Sequence, residues 1–174
     1  MNKMIKPLLV CLLCVVGRTV QAQDQPATPT KASLTGFVGT TTPILDDGWG
    51  VSVGVNPAYS FSDWLALEGR VSYQYNQITG AFLSGDTGQG SDVNLLVGGR
   101  LYLTKPDKPT RIYLNALAGV NYNREQMVGE ALRQEWAPGL MGGAYLSYKA
   151  YRAGVVFESK QNVGLLLGYQ FGRR

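Results

Sequence analysis

Trp64-Leu65-Ala66-Leu67-Glu68-Gly69-Arg70-Val71-Ser72-Tyr73-Gln74-Tyr75-Asn76 separates into two chemistries when it is read at every second residue. Leu65, Leu67, Gly69, Val71, Tyr73 and Tyr75 form an apolar and aromatic set. Ala66, Glu68, Arg70, Ser72, Gln74 and Asn76 form a largely polar set that carries both signs of charge. Successive side chains of a strand point to opposite faces, so the stretch predicts a strand with one greasy and one charged face. A polar lumen inside a lipid-facing wall is what a transmembrane β-barrel requires.

Seven further stretches alternate in the same way, at residues 33–41, 48–61, 93–103, 111–122, 136–148, 151–157 and 163–171. Glycine, aspartate or proline separates them. In the second, Pro57 has no N–H to give to a ladder, so a local irregularity is expected there. Residues 124–133 are the one stretch open to a helical reading, and Gly129 weakens it. The sequence therefore predicts an all-β chain, with eight antiparallel strands in up-and-down order closed into a transmembrane barrel. Links at residues 62–64 and 149–150 are short, whereas those at 80–91 and 123–135 are longer. Outer-membrane barrels have short periplasmic turns and longer external loops, which puts both ends of the barrel on the periplasmic side. The 104–110 link is long for such a turn.

The first residues read as a cleaved signal peptide over 1–22. Lys3 and Lys6 precede an apolar run from Pro7 to Val16, and Val20-Gln21-Ala22 offers small residues for a signal peptidase. The run is too short for a spanning helix, and Arg18 interrupts it. Residues 23–31 read as a flexible periplasmic leader and 32–174 as the barrel domain. Cys11 and Cys14 both leave with the signal, so disulfides, thiolate catalysis and cysteine metal sites are not expected. Loss of Lys3, Lys6 and Arg18 also takes the formal charge from +4 to +1. No basic patch with interleaved aromatics remains, which argues against a nucleic-acid partner.

The aromatics supply a separate test. With that topology Trp49, Tyr73, Tyr75, Tyr122, Trp136 and Phe157 fall near the external ends of strands. Tyr59, Phe61, Tyr148, Tyr151, Tyr169 and Phe171 fall near the periplasmic ends. Two girdles around an aliphatic middle are the pattern of a protein whose partner is outer-membrane lipid. Leu65, Leu67, Leu95, Val97 and Leu114 belong to the lipid-facing band, with Leu67 placed near mid-depth.

The targeting segment, the eight alternating strands and the C-terminal Leu165-x-Leu167-x-Tyr169-x-Phe171 resemble small outer-membrane barrels of the OmpA/OmpX type. The resemblance covers the whole mature chain and is architectural. It implies location in the outer membrane of a Gram-negative-type cell. It also implies that the terminal strand is the assembly signal read by the barrel-assembly machinery, with periplasmic chaperones engaged on the way. Here Phe171 is followed by Gly172-Arg173-Arg174 instead of ending the chain. Pores, adhesins, membrane stabilisers and lipid-modifying enzymes all occur on this fold, so the fold does not choose the function.

Catalysis is not expected. Histidine is absent, which removes Ser-His-Asp and Cys-His arrangements and histidine metal sites. The adjacent acids Asp46 and Asp47 read as an ordinary turn, with a weak external cation site as the alternative. No cofactor is implied. The most specific feature is the charged face. Folding 93–103 back on 64–76 is expected to set Glu68 opposite Arg100 and Arg70 opposite Gly98. The expected result is a Glu68–Arg100 pair inside the barrel, with Arg70, Gln74, Asn94, Tyr113 and Asn115 completing a polar network. Inward glycines, among them Gly54, Gly143 and Gly168, leave room for arginine and tyrosine to cross the lumen. Arg152, Lys149 and Arg111 are assigned to the periplasmic rim, and Asp92 and Glu158 to the external one. The physiological partner is not legible. The favoured role is structural or surface-interacting with a plugged lumen. The alternatives are a small porin or ion channel, or a soluble lipocalin-like carrier of an apolar ligand, which would need charges outside and an apolar interior.

Overall fold

The computed structural model describes residues 32–43, 47–80, 88–105, 108–159 and 162–171. The expected signal peptide, the leader, Asp46 and Gly172–Arg174 lie outside these residues, as does the side chain of Asp47. The eight strands are β1 (Ala32–Pro43), β2 (Asp47–Ser60), β3 (Leu65–Gly80), β4 (Gly88–Tyr102), β5 (Thr110–Met127), β6 (Arg133–Tyr148), β7 (Tyr151–Glu158) and β8 (Asn162–Phe171). Each pairs antiparallel with its neighbours, and β1 pairs with β8, so the sheet closes on itself.

Closure carries a stagger. Ala32 pairs with Tyr59, Tyr59 with Leu67, Leu67 with Gly99 and Gly99 with Ala116. Ala116 then pairs with Gly142, Gly142 with Phe157, Phe157 with Val163 and Val163 with Thr42. One circuit therefore returns ten residues up β1, from 32 to 42. Such a shear tilts the strands and sets the width of the lumen.

The period of two decides which face each residue takes. Ala66, Glu68, Arg70, Ser72, Gln74 and Asn76 are all buried, whereas Leu65, Leu67, Val71 and Tyr73 are exposed. The same division holds in β4, where Asn94, Leu96 and Arg100 are buried and Val93, Leu95 and Val97 exposed. Trp49, Tyr59, Phe61, Tyr73, Tyr75, Tyr122, Trp136, Tyr148, Tyr151, Phe157, Tyr169 and Phe171 stand outside, none of them buried. Several pair edge to face: Tyr59–Phe61 at 5.4 Å, Tyr151–Tyr169 at 5.5 Å and Tyr169–Phe171 at 5.1 Å. A soluble carrier needs the opposite arrangement, with charges out and apolar groups in.

The short turns are built locally. Ser62 Oγ accepts the Trp64 and Leu65 N–H groups between β2 and β3. Lys149 takes a left-handed φ of 53° in the two-residue β6–β7 turn, the backbone geometry that such tight hairpins need. Thr104 Oγ1 accepts from the Ile112 N–H at 3.0 Å and tightens the longer β4–β5 link.

The irregularity expected at Pro57 is present: the β2–β3 ladder runs from Val55↔Val71 to Ala58↔Glu68 without the two intervening pairs, and resumes in the same register. Two features differ from the sequence reading. Strands β3–β6 extend further than the hydropathy suggests, and residues 124–127, open to a helical reading, continue β5 up to the turn at Gly129. Beyond the hydrocarbon the outer face no longer has to be greasy, so alternation stops while pairs such as Gln77↔Gln89 continue the ladder. Finally, Leu67 sits beside Tyr59 of the girdle near the chain-end side. The middle of the band falls nearer Val71, which lies between Val55 and Leu95.

Depth makes this testable. Val71→Arg should lower folding stability in lipid vesicles by about 2–4 kcal/mol, and Leu67→Arg by clearly less, because the penalty falls towards the interface. Equal penalties in equilibrium refolding titrations would contradict the placement of the band.

Candidate functional site

Glu68 on β3 and Arg100 on β4 form the most enclosed ion pair of the lumen. Glu68 lies across from Gly98, and Arg100 across from Ala66. The expected register, with Glu68 facing Arg100 and Arg70 facing Gly98, is thus displaced by two residues, and Arg70 faces Leu96. An even slip keeps every side chain on its own face, so alternation alone cannot detect it. Arginine is long enough to close the diagonal. Arg100 Nε donates to Glu68 Oε2 at 2.7 Å, and both side chains are 0 % exposed. Asn56 Nδ2 donates to the other carboxylate oxygen at 2.7 Å. Arg100 Nη1 donates to the Tyr102 hydroxyl at 3.0 Å, and its guanidinium carbon lies 4.6 Å from the centre of the Tyr113 ring.

Arg70 forms a second tier. Its Nε approaches Ser72 Oγ at 3.4 Å and its Nη2 stands 3.6 Å from Glu158 of β7. The guanidinium lies 4.2 Å over the Phe37 ring. Glu158 therefore points inward, not into the external loops, because it shares the face of Arg152, Gly154 and Val156 on β7.

Towards the loop end the lining turns to amides and hydroxyls. Asn94 Nδ2 donates to Ser72 Oγ at 3.3 Å, and Gln74 Nε2 donates to Asn76 Oδ1 at 3.0 Å. That oxygen also accepts from Thr41, and Asn76 Nδ2 donates to Asp92 at 3.2 Å. Asp92, assigned to the external rim from sequence, is buried. Asn115 is buried across from Gly143, and its amide makes none of these bonds.

Towards the chain-end mouth the lining becomes arginine and tyrosine. Arg152 is buried, not a rim residue, and donates from Nη1 to the Tyr113 hydroxyl at 3.0 Å and from Nη2 to Gln170 Oε1. Tyr113 stacks on Tyr145 at 4.7 Å with the rings 4° from parallel. Tyr145 lies flat against the wall because it faces Gly154 directly, where a Cβ would run into its ring. Alternation across β7 could have revealed Arg152 and Glu158, since Tyr151, Ala153, Val155 and Phe157 occupy the other face. Tyr145 and Asn56 share that kind of trace. Their contacts, however, depend on register.

This arrangement can hold charge in place across the bore, but it offers no nucleophile–base pair, and no metal-holding cluster of acidic residues occurs among the described residues. No protein-family model matches the sequence, and no curated protein does. Solved structures do match. The outer membrane protein OprG from Pseudomonas aeruginosa superposes with a TM-score of 0.56 at 12 % identity, over 83 % of this chain and 98 % of that one. Neisserial surface protein A matches with a TM-score of 0.51 at 15 % identity, over 80 % and 92 % of the two chains. The fold is that of the small eight-stranded outer-membrane barrels of the OmpA/OmpX type. At these identities the likeness concerns the fold and does not transfer a role.

Two outcomes test the lumen. Arg100→Ala alone should cost about 3–5 kcal/mol by stranding the Glu68 carboxylate, whereas Glu68→Ala with Arg100→Ala should cost much less. Simple additivity in that cycle would show that the charges do not share a site. Gly154→Val should cost about 1–3 kcal/mol by forcing Tyr145 off its shelf, read in equilibrium refolding titrations.

Proposed function

We propose that the protein is a non-catalytic integral outer-membrane barrel whose lumen is plugged by its own side chains, with a structural or surface-interacting role. One observation carries the reading: Arg70, Arg100 and Glu68, three long charged side chains at 1 % exposure or less, lie across the bore. An eight-stranded barrel has a lumen that side chains can just fill. The Tyr113–Tyr145 stack and Arg152 add bulk at the chain-end side of the same pair.

Charged groups in a plug need partners, and here Glu68 bonds both Arg100 and Asn56 while Arg70 has Glu158 nearby. Engagement of both Glu68 oxygens favours a fixed plug over a mobile gate. Absence of histidine, and of an activated nucleophile among the described residues, supports a non-catalytic role. The outward Leu165 and Leu167 of β8, with Tyr169 and Phe171, form the surface that the assembly machinery would read during insertion, before β8 closes on β1.

Planar-bilayer recordings provide the test. The wild type should pass little or no current, and truncating Arg70 and Arg100 together to alanine should raise it. Stable open channels in the unmodified protein would replace this reading with a small porin.

A further inference from the structure

The lumen is not electrically balanced along its length. Three guanidinium groups gather at the chain-end mouth around one pair of tyrosine rings, Tyr102 and Tyr113, whose centres are 5.5 Å apart. Arg111 lies 3.6 Å over Tyr102, and Arg100 and Arg152 lie 4.6 Å and 5.2 Å from the centre of Tyr113. Glu68 is the one buried carboxylate beside them among the described residues, and Arg100 with Asn56 already engages both of its oxygens. Arg152 instead donates to two neutral acceptors, the Tyr113 hydroxyl and Gln170 Oε1. Arg111 donates to the backbone carbonyl of Asp63, and the Asp63 carboxylate in that exposed turn acts on its charge as well, so Arg152 is the guanidinium of the cluster held by neutral acceptors alone.

Donors are left over as well. Arg152 Nε, Arg111 Nε and Arg100 Nη2 are buried without a hydrogen-bond partner among the described residues, and Arg152 as a whole is 5 % exposed. Arg70, deeper in the lumen, also has both Nη atoms without a hydrogen-bond partner among the described residues, but it has the Glu158 carboxylate 3.6 Å away, which Arg152 does not. A cation withdrawn from water and held only by neutral acceptors is unfavourable unless an anion can join it. Arg111, at the second residue of β5, is half-exposed and keeps the cluster open to the mouth.

We propose that Arg111 and Arg152, backed by Arg100 and the Tyr102–Tyr113 pair, form a binding site for a phosphate-class oxyanion at the mouth where both ends of the barrel emerge. A tetrahedral oxyanion presents several oxygens, so it can accept from more than one guanidinium fork at once and supply the missing negative charge. Free inorganic phosphate and the phosphate of a lipid headgroup offer the same chemistry. The site needs no passage through the bore, so it stands whether or not the barrel conducts, and the conductance recordings do not bear on it.

The test uses the folded full chain. In zwitterionic detergent micelles, inorganic phosphate is titrated against chloride at constant ionic strength, with the thermal unfolding midpoint and 31P line width as readouts. The wild type should show a saturable upward shift and broadening with phosphate beyond that with chloride. Arg152→Gln and Arg111→Gln should each lose it, while Arg133→Gln on the exposed loop side should retain it. If Arg152→Gln does not fold, Arg152→Lys and Arg111→Gln carry the comparison, with weakened and lost shifts expected. A second arm omits phosphate and compares phosphatidylcholine nanodiscs with and without phosphatidylglycerol. Stabilisation by phosphatidylglycerol alone, dependent on Arg111 and Arg152, would identify a headgroup as the source and also support the site. No saturable effect in either arm, or an effect that survives both arginine substitutions, would overturn it.

Discussion

Hydrocarbon offers no partner to a peptide group, and the rest of this structure follows from that requirement. A sheet in lipid must satisfy every N–H and C=O within itself, and closing β1 onto β8 is the way to leave no edge. Closure of eight strands with a ten-residue stagger then fixes a narrow bore. A bore of that size is one that the side chains of its own wall can just fill. Pro57 shows how tightly the rule applies, because the ladder that it interrupts resumes in the same register on its other side.

Filling the bore with charge has a second effect. If both faces of β3 were apolar, a slip by one residue would cost little, and inside and outside could exchange. Glu68 and Arg70 make that exchange costly, since it would turn both charges into lipid. The charges thus fix the parity of the strand. Their exact opposition is set by packing, in which Arg70 lies over Phe37 and Tyr145 lies on Gly154. Small residues on one wall face large planar groups on the other, and several polar groups between them have defined partners.

This division explains what could be read from the chain. Alternation is a property of each strand alone, so the eight strands, the faces of β3 and the outward girdles were legible in Trp64–Asn76 and its counterparts. Register is a property of pairs. Folding β4 back on β3 with matching faces brings Glu68 near Arg100, but the register it gives is two residues out. Depth depends on the whole circuit, which is why Leu67 belongs beside the girdle residue Tyr59 and not at the middle of the band. Charges near strand ends are usually solvated, so the sequence alone places Arg152 and Glu158 at the rims. On a strand as short as β7, the alternation carries them inward, and Glu158 reaches Arg70. Strand length past the membrane left no hydropathic trace at all, since water accepts either face.

The two ends of the bore differ in a way that the fold does not require. Towards the loops the lining is amide and hydroxyl, with Asp92 bonded by Asn76, and neutral groups there can exchange partners at low cost. Towards the chain ends it is arginine and tyrosine, fixed by stacking and by cation–π contacts. A barrel that needed only to be filled could use either composition throughout. Concentrating permanent positive charge at one mouth creates a field that reaches the solvent there, and that field acts on whatever anions the adjoining compartment holds. The polarity of the lumen is thus a property selected by side chains on an indifferent scaffold, and it is at that mouth that the chemistry of this barrel is most specific.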